Sequence, residues 1–214
     1  MSTLMRAPQE RGSWYWDLYD FGPPGLESAL SLAGRLCEVL AQHELLRPFQ
    51  LEYVWSVLDV GTTGVKSTLE LTEPLSHPGL PERVIGSRPA AFPTATMSDF
   101  NVIGSGTWID AERQPHTEPR LVDLCLSTAP TGLSAELSVH HDIWGWYDFA
   151  GRPHPEVYQN NAPRLAAALK DLTALLGMPP EPGEPTIFGR ATVDGLANPD
   201  ADENGLGPDL TSRL

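Results

Sequence analysis

The chain has 214 residues, of which 41% are hydrophobic and 20% are charged, a composition typical of a folded globular protein with one buried core. Its 28 acidic and 14 basic side chains give a formal charge of -14, which disfavours nucleic acid and anionic membrane surfaces as partners. The charge favours a basic protein partner, although acidity that serves only solubility would explain it equally well.

Hydrophobic periodicity predicts an α+β chain. Strand candidates alternate apolar and polar residues between Gly or Pro, and helix candidates repeat apolar residues three and four apart. In chain order the predicted elements are a strand over 13–21, a helix from Leu26 that ends before Pro48, strands over 49–60 and 65–71 around a turn at 61–64, strands over 101–109, 120–127 and 133–149, a helix over 161–176, and a short edge strand over 186–193. Short turns join neighbouring strands, so we predict a mostly antiparallel sheet of about six or seven strands packed against two main helices.

The second helix carries recognisable start and stop residues. Asn161 is predicted to cap its N-terminus, with Pro163 in the first turn and Gly177 at the end. The proline-rich stretch 74–93 shows little periodicity and is predicted to be an irregular surface loop. Whether that loop acts as a lid, a binding arm or a tolerated insertion is left open by the sequence.

Three regions are expected along the chain. Residues 1–12 are predicted to be a flexible N-terminus, residues 13–196 a single α+β domain, and residues 197–214 a flexible acidic tail. Asp200–Gly205 in this tail matches the first half of an EF-hand calcium loop, but Thr211 stands where the bidentate Glu belongs. An acidic tail that binds calcium weakly or not at all is therefore the favoured interpretation.

The two cysteines indicate neither a disulfide framework nor a metal site. Cys37 lies in a predicted helix and Cys125 in a predicted strand, without CxxC spacing, and both are expected to be apolar fillers. Since the first residues contain no apolar leader and no run of about 18 apolar residues occurs, we expect a cytoplasmic protein. We expect no cofactor, because the nucleotide, zinc and serine-hydrolase motifs are missing.

The predicted strand over 133–149 ends in the run His140–Asp148, which is rich in aromatic and acidic residues. Two-residue alternation separates a core face from a polar face. The core face comprises Leu133, Ala135, Leu137, Val139, His141 and Ile143, and the polar face comprises Glu136, Ser138, His140, Asp142 and Trp144. His141 is therefore expected in the core, whereas His140 is expected on the polar face.

His140 and Asp142 are weak candidates for metal ligands, or for an imidazole with its orienting carboxylate. A catalytic zinc would need a third protein ligand, for which Asp110, His116 and Glu118 are the candidates, and no spacing connects them to the pair. A polar outer face is the favoured interpretation, so neither a catalytic residue nor a bound metal is expected.

The aromatic part of the run predicts a partner-binding surface. Trp144, Trp146 and Tyr147 stand beside Asp142 and Asp148, and Trp and Tyr are common anchors of protein interfaces. Carboxylates next to such rings suit the Arg or Lys side chains of a basic partner. The alternative is that Gly145 breaks the strand and the rings pack over the second helix.

With these features the chain resembles the immunity proteins of bacterial polymorphic toxin systems. The resemblance is carried by the run Asp142–Asp148 and by the helix segment Asn161–Leu165 with its apolar stripe. It implies a small, acidic, non-catalytic cytosolic α+β protein that neutralises a toxin domain by binding it.

Two alternatives remain. The element order also suits a helix-grip fold that encloses a small hydrophobic ligand, for which an apolar cavity on the concave side of the sheet would be diagnostic. A metal-dependent enzyme built on His140 and Asp142 would require further convergent ligands. The identity of the partner and the oligomeric state cannot be read from the sequence.

Overall fold

A computed structural model describes residues 4–57 and 60–214 and shows three α-helices and ten strands in those ranges. The elements are β1 (Gly12–Asp17), α1 (Leu26–Gln42), β2 (Arg47–Val57), β3 (Gly61–Glu70), α2 (Leu80–Gly86), β4 (Asp99–Ile109), β5 (Pro115–Pro119), β6 (Asp123–Ser127), β7 (Ser134–Val139), α3 (Pro155–Leu176), β8 (Glu181–Pro182), β9 (Ala191–Thr192) and β10 (Gly195–Leu196), with 3-10 turns at Asp142–Trp144 and Thr211–Arg213. Leu58 and Asp59, which belong to the predicted strand before the first hairpin turn, lie outside the described residues.

The strands confirm the predicted α+β class and the antiparallel sheet. Eight strands form one sheet in the order β3-β2-β4-β6-β7-β1-β8, with β5 paired to the far half of β4. All of their pairings are antiparallel. The predicted edge strand over 186–193 does not join this sheet: its strand residues form β9, which pairs with β10 in a separate two-stranded ladder. The late strand at the edge of the sheet is β8, which pairs with β1.

The core lies between α1, α3 and one face of the sheet, which we call the inner face. Alternation along each strand places large apolar side chains on this face. Complete burial of one such side chain contributes about 1.5–3 kcal/mol to folding. The largest side chains that are fully buried include Trp14, Trp16, Trp55, Trp144, Tyr53 and Phe100, and the helices add Leu30, Leu36, Leu40, Leu165, Leu169 and Leu172.

The start of α3 differs from the prediction. The helix begins at Pro155, which occupies its first turn, and Gly177 ends it in the left-handed conformation as expected. Asn161 is therefore inside the helix instead of capping it, and Pro163 is also internal. Asn161 is fully buried because its amide binds β4: Oδ1 accepts from the Ile109 N–H at 2.9 Å, and Nδ2 donates to the Ile109 carbonyl at 2.7 Å.

The proline-rich stretch 74–93 is not the irregular surface loop that was expected. It contains α2, and Leu75, Leu80 and Val84 are buried in the main core. The Ser87 hydroxyl also lies 2.6 Å from the hydroxyl of Tyr53 on β2. The apolar residues that anchor this segment are hard to recognise in the sequence, because the prolines interrupt the spacing that is typical of a helix.

Both terminal regions contact the domain. Ala7 N–H donates to the His140 carbonyl at 2.9 Å, and Leu210 N–H donates to the Phe149 carbonyl at 2.7 Å. Ala7, Phe149 and Phe188 form a second small apolar cluster against which Leu210 packs. The flexibility expected for the two ends stays a prediction.

Replacing the buried amide of α3 should weaken the contact between helix and sheet. We expect Asn161→Ala to lower the free energy of unfolding by about 2–4 kcal/mol, because it leaves the backbone N–H and carbonyl of Ile109 without these partners. Urea denaturation measures this difference. Gln159→Ala, at an exposed position of the same helix, should stay within about 0.5 kcal/mol of wild type; equal effects of the two changes would contradict the assigned contact.

Candidate binding surface

The sheet has a second face, which points away from α1 and α3 and which we call the outer face. Its centre is a row of side chains from five neighbouring strands, set by the strand register. Within the described ranges no helix packs on this row, since the buried residues of α1 and α3 join the inner-face core. The row consists of Tyr15, Glu136, Cys125, Asn101 and Glu52.

Exposure confirms that the outer face is open. Tyr15 is 38% exposed and Val54 is 39% exposed, although both lie in strands whose neighbouring residues are buried. Glu136 is also exposed, whereas Cys125 and Asn101 are half-buried by the side chains around them. An aromatic ring and an aliphatic side chain are therefore presented on an otherwise polar surface.

One end of the outer face is crossed by an ion-pair chain. Glu52 Oε2 lies 2.7 Å from Lys66 Nζ and 3.3 Å from Arg120 Nη1. Asp123 Oδ1 lies 2.8 Å from Arg120 Nε, and Asp123 Oδ2 lies 2.7 Å from Arg6 Nη2. Each carboxylate thus has two cationic neighbours, which offsets its partial burial.

The remaining acids of the outer face are not neutralised in this way. In the part of the chain that the structure describes, Asp17, Asp99 and Glu136 have no basic side chain within 4.0 Å. Glu136 is exposed to solvent, but partial desolvation by the groups around it and the negative charge of Glu10 raise its pKa, and a hydrogen bond with Ser13 opposes that shift. The potential around Tyr15 is therefore negative.

Cys125 lies at the centre of the outer face. Burial, together with the negative charges of Asp99 and Glu136, raises the pKa of its thiol to about 12. The group is consequently protonated at neutral pH, and a thiol is a much weaker nucleophile than a thiolate. The chemistry available to this face is binding through polar, acidic and aromatic contacts.

The run His140–Asp148 does not continue β7 as predicted. The core face of the prediction is buried throughout, but β7 ends at Val139 and Asp142–Trp144 turns inward as one 3-10 turn. Asp142 and Trp144 are each 1% exposed and Tyr147 is 7% exposed. These three residues of the predicted partner-binding surface therefore present almost no surface.

Trp146 and Asp148 remain half-buried at the end of the run. The Trp146 ring packs edge-on against Tyr158 of α3, with 5.7 Å between the ring centroids. The Asp148 carboxylate accepts from the backbone N–H groups of Ala150 and Arg152 and lies 3.0 Å from Arg152 Nε. A role of Trp146 and Asp148 in binding a partner stays a prediction.

The candidate metal ligands do not converge. His140 Nε2 lies 3.4 Å from Asp123, whereas Asp142 Oδ1 accepts from the Met5 N–H. Of the candidate third ligands, Asp110 and His116 pair with each other at 2.7 Å, and Glu118 lies 3.9 Å from His141. Across residues 4–57 and 60–214, no group of three or more His, Cys, Asp or Glu side chains is arranged to hold a metal ion.

In the segment Asp200–Gly205, which resembles the first half of a calcium-binding loop, the carboxylate of Asp202 binds backbone N–H groups of the same segment and its neighbour. Asp202 Oδ1 accepts hydrogen bonds from the N–H groups of Asn204 and Leu206, both at 2.8 Å. These local bonds hold the carboxylate in a turn. On the inner face, large apolar side chains of the strands and helices form the main core. A helix-grip protein that encloses a small ligand stays an alternative prediction.

Neighbouring residues of the inward turn have opposite protonation behaviour. Burial raises the pKa of Asp142 to about 6, partly opposed by the hydrogen bond from Met5 and the charge of Arg11. Burial and the charge of Arg6 lower the pKa of His141 to about 4. In both cases the neutral form is favoured because little solvent reaches the group.

Comparisons with protein-family models, with curated protein sequences and with solved structures gave no match. Among the described residues, no helix combines the length and the apolar character needed to cross a membrane. The function of the outer face is therefore argued from its geometry and charge.

The opposite pKa shifts of Asp142 and His141 determine how each group affects stability. The pKa of Asp142 in the folded protein lies above the ordinary 3.8. Its stabilising contribution to the free energy of unfolding is therefore fully present below pH 3.8 and is lost as the pH rises through 6. The pKa of His141 in the folded protein lies below the ordinary 6.5. Its stabilising contribution is therefore fully present above pH 6.5 and is lost as the pH falls through 4.

Two single substitutions should separate these contributions. For Asp142→Asn, the free energy of unfolding minus that of wild type should be about 2 kcal/mol larger at pH 7 than at pH 4. For His141→Gln, the same difference should be about 3 kcal/mol larger at pH 4 than at pH 7. Urea denaturation at both pH values measures this, and differences from wild type that do not change with pH would contradict the assignment.

Proposed function

We propose that the protein is a non-catalytic binding module that holds a basic protein domain on the outer face of its sheet. The observation that carries this proposal is the row of five strands that no described helix covers. Exposed Tyr15 lies beside Glu136 and two residues from Asp17, and Asp99 is exposed on the same face at β4; none of these acids has a basic side chain within 4.0 Å among the described residues. A broad, rigid and acidic surface with an aromatic side chain suits a protein better than a small molecule.

The residue types of the outer face support protein binding. Tyrosine buries a large ring with little loss of conformational freedom and is common among the residues that dominate interface energies. Acids without ion-pair partners are free to meet Lys or Arg of a partner. The net charge of -14 would further steer a basic domain toward the protein and raise its association rate.

An immunity protein is the kind of module that fits these properties best. Its task is to bind one toxin domain tightly and block it, which requires a preformed complementary surface and no catalytic group. The acidic charge and the resemblance in type support this assignment, and a cytoplasmic location belongs to the same proposal. The toxin would supply the basic surface.

The proposal is tested on a complex isolated by co-expression with the products of neighbouring genes. Glu136→Lys should weaken the complex at least about tenfold, because it places a like charge against a basic partner. Tyr15→Ala should weaken it by about thirtyfold if Tyr15 is an anchor of the interface. Glu38→Lys makes the same charge change at an exposed position of α1 and serves as the matched control.

The affinities of these variants, measured by calorimetry or surface plasmon resonance, decide between two surfaces. Loss of affinity in Glu136→Lys and Tyr15→Ala with near-normal binding of Glu38→Lys supports the outer face. Normal binding of both outer-face variants contradicts the proposal. Loss of affinity in Trp146→Ala and Asp148→Lys, with normal binding of the outer-face variants, would indicate that the interface lies at the end of the aromatic run.

A further inference from the structure

A cleft of about 230 Å³ lies between the end of the aromatic run and the C-terminal part of the chain. None of the five residues in the central row of the outer face lines it. Its floor contains the buried residues Arg11, Tyr147, Phe149 and Phe188, whereas Ile187 and Arg190 are exposed at its rim. The volume is slightly below the range of drug-sized ligand pockets, so it suits a small molecule.

Arg11 is the unusual member of this cleft. It is only 5% exposed, and its guanidinium donates to the carbonyls of Asp142 at 2.6 Å and Tyr147 at 3.0 Å. A guanidinium has five N–H donors, so these two bonds leave capacity for another acceptor. Over the described ranges no carboxylate lies within 4.0 Å of Arg11, so its charge is balanced only from a longer distance, by Asp142 and Asp148. A direct ion pair would stabilise such a buried cation further.

Two glycines and one aromatic ring fix the position of this guanidinium. A Cβ at Gly145 would clash with the guanidinium group, and a Cβ at Gly189 would lie 2.8 Å from Arg11 Cγ. The guanidinium carbon lies 5.1 Å from the centroid of the Phe149 ring. Burial lowers the pKa of Arg11 to about 10, so the side chain stays positively charged at neutral pH.

The other charged groups of the cleft leave it positive. Arg190 also lines the cleft and has no ion pair among the residues that the structure places. Asp148 lines it too, but its carboxylate is engaged by Arg152 and by two backbone N–H groups. In a protein with twice as many acids as bases, two arginines without carboxylate partners meet in one small cleft.

We propose that this cleft binds a small carboxylate with an apolar body, independently of the protein-binding outer face. The carboxylate is held by Arg11 and Arg190, whose planar guanidinium groups match its two oxygens. The apolar body packs against Phe149, Phe188 and Ile187. The carboxylate adds a direct ion pair to Arg11, on which Asp142 and Asp148, its acidic neighbours among the described residues, act only from beyond 4.0 Å.

The probe for this proposal is 3-phenylpropionate, compared with its neutral amide, 3-phenylpropanamide. On the full chain, the acid should shift the NMR signals of residues 187–190 and 147–149 and bind at least about tenfold more tightly than the amide. No shifts up to about 10 mM acid, equal affinity for the two compounds, or shifts confined to other regions would each overturn the proposal.

Substitution of the arginines gives a second test. Arg190→Gln should weaken binding of the acid several-fold and leave the affinity for the amide unchanged, whereas the matched change Arg213→Gln, which lies outside the cleft, should bind both compounds like wild type. Normal acid binding by Arg190→Gln and Arg11→Lys would overturn the assigned arginines. If Arg11→Lys does not fold, the comparison of acid and amide on the wild-type chain still decides.

Discussion

An antiparallel sheet covered by helices on one face only is the constraint on which the rest of this structure depends. The inner-face rows are apolar because α1 and α3 exclude water from them. The outer-face rows meet solvent and must be polar, so acids and hydroxyl groups alternate with the core residues along each strand. Where carboxylates become partly buried there, as at Glu52 and Asp123, the ion-pair chain to Lys66, Arg120 and Arg6 compensates them. Among the described residues, the same one-sided cover leaves an acidic surface without a helix on it.

The inward turn after β7 organises the opposite end of the molecule. It buries Asp142 and Trp144, and the carbonyls of Asp142 and Tyr147 hold Arg11 at the floor of the cleft. This arrangement leaves several buried polar atoms without a hydrogen-bond partner among the described residues, including both ring nitrogens of His141 and Asp142 Oδ2. Such groups are maintained only because the surrounding apolar packing over-determines their position. Because Asp142, Trp144 and Tyr147 are buried, the outer face and the small cleft are the two surfaces on which we propose binding.

Local patterns in the sequence predicted the fold class, and alternation assigned the correct face to residues up to Val139. The outward positions of Glu136 and Ser138 follow from that pattern. The position of Tyr15 beside Glu136 does not, because it depends on the register between β1 and β7. After Val139 the pattern still assigned His141 and Ile143 correctly to the core, but it was wrong for Asp142 and Trp144. The turn that buries these two is held by Arg11, 131 residues away from Asp142 along the chain. Asn161 resembles a helix cap in sequence, and only its distant contact with Ile109 shows its role. The ion pairs of Asp123 with Arg6 likewise join residues 117 apart, for which local spacing carries no signal.

A partner that covers the outer face of the sheet would be detected most directly by NMR cross-saturation, in which the deuterated protein loses amide signal wherever a bound, protonated partner touches it. In the complex with its co-expressed partner, we predict the largest losses at Tyr15, Glu136 and Cys125, with unaffected signals along α1 and α3. Losses confined to the helices or to the segment around Trp146, with none on β1, β6 and β7, would contradict the account.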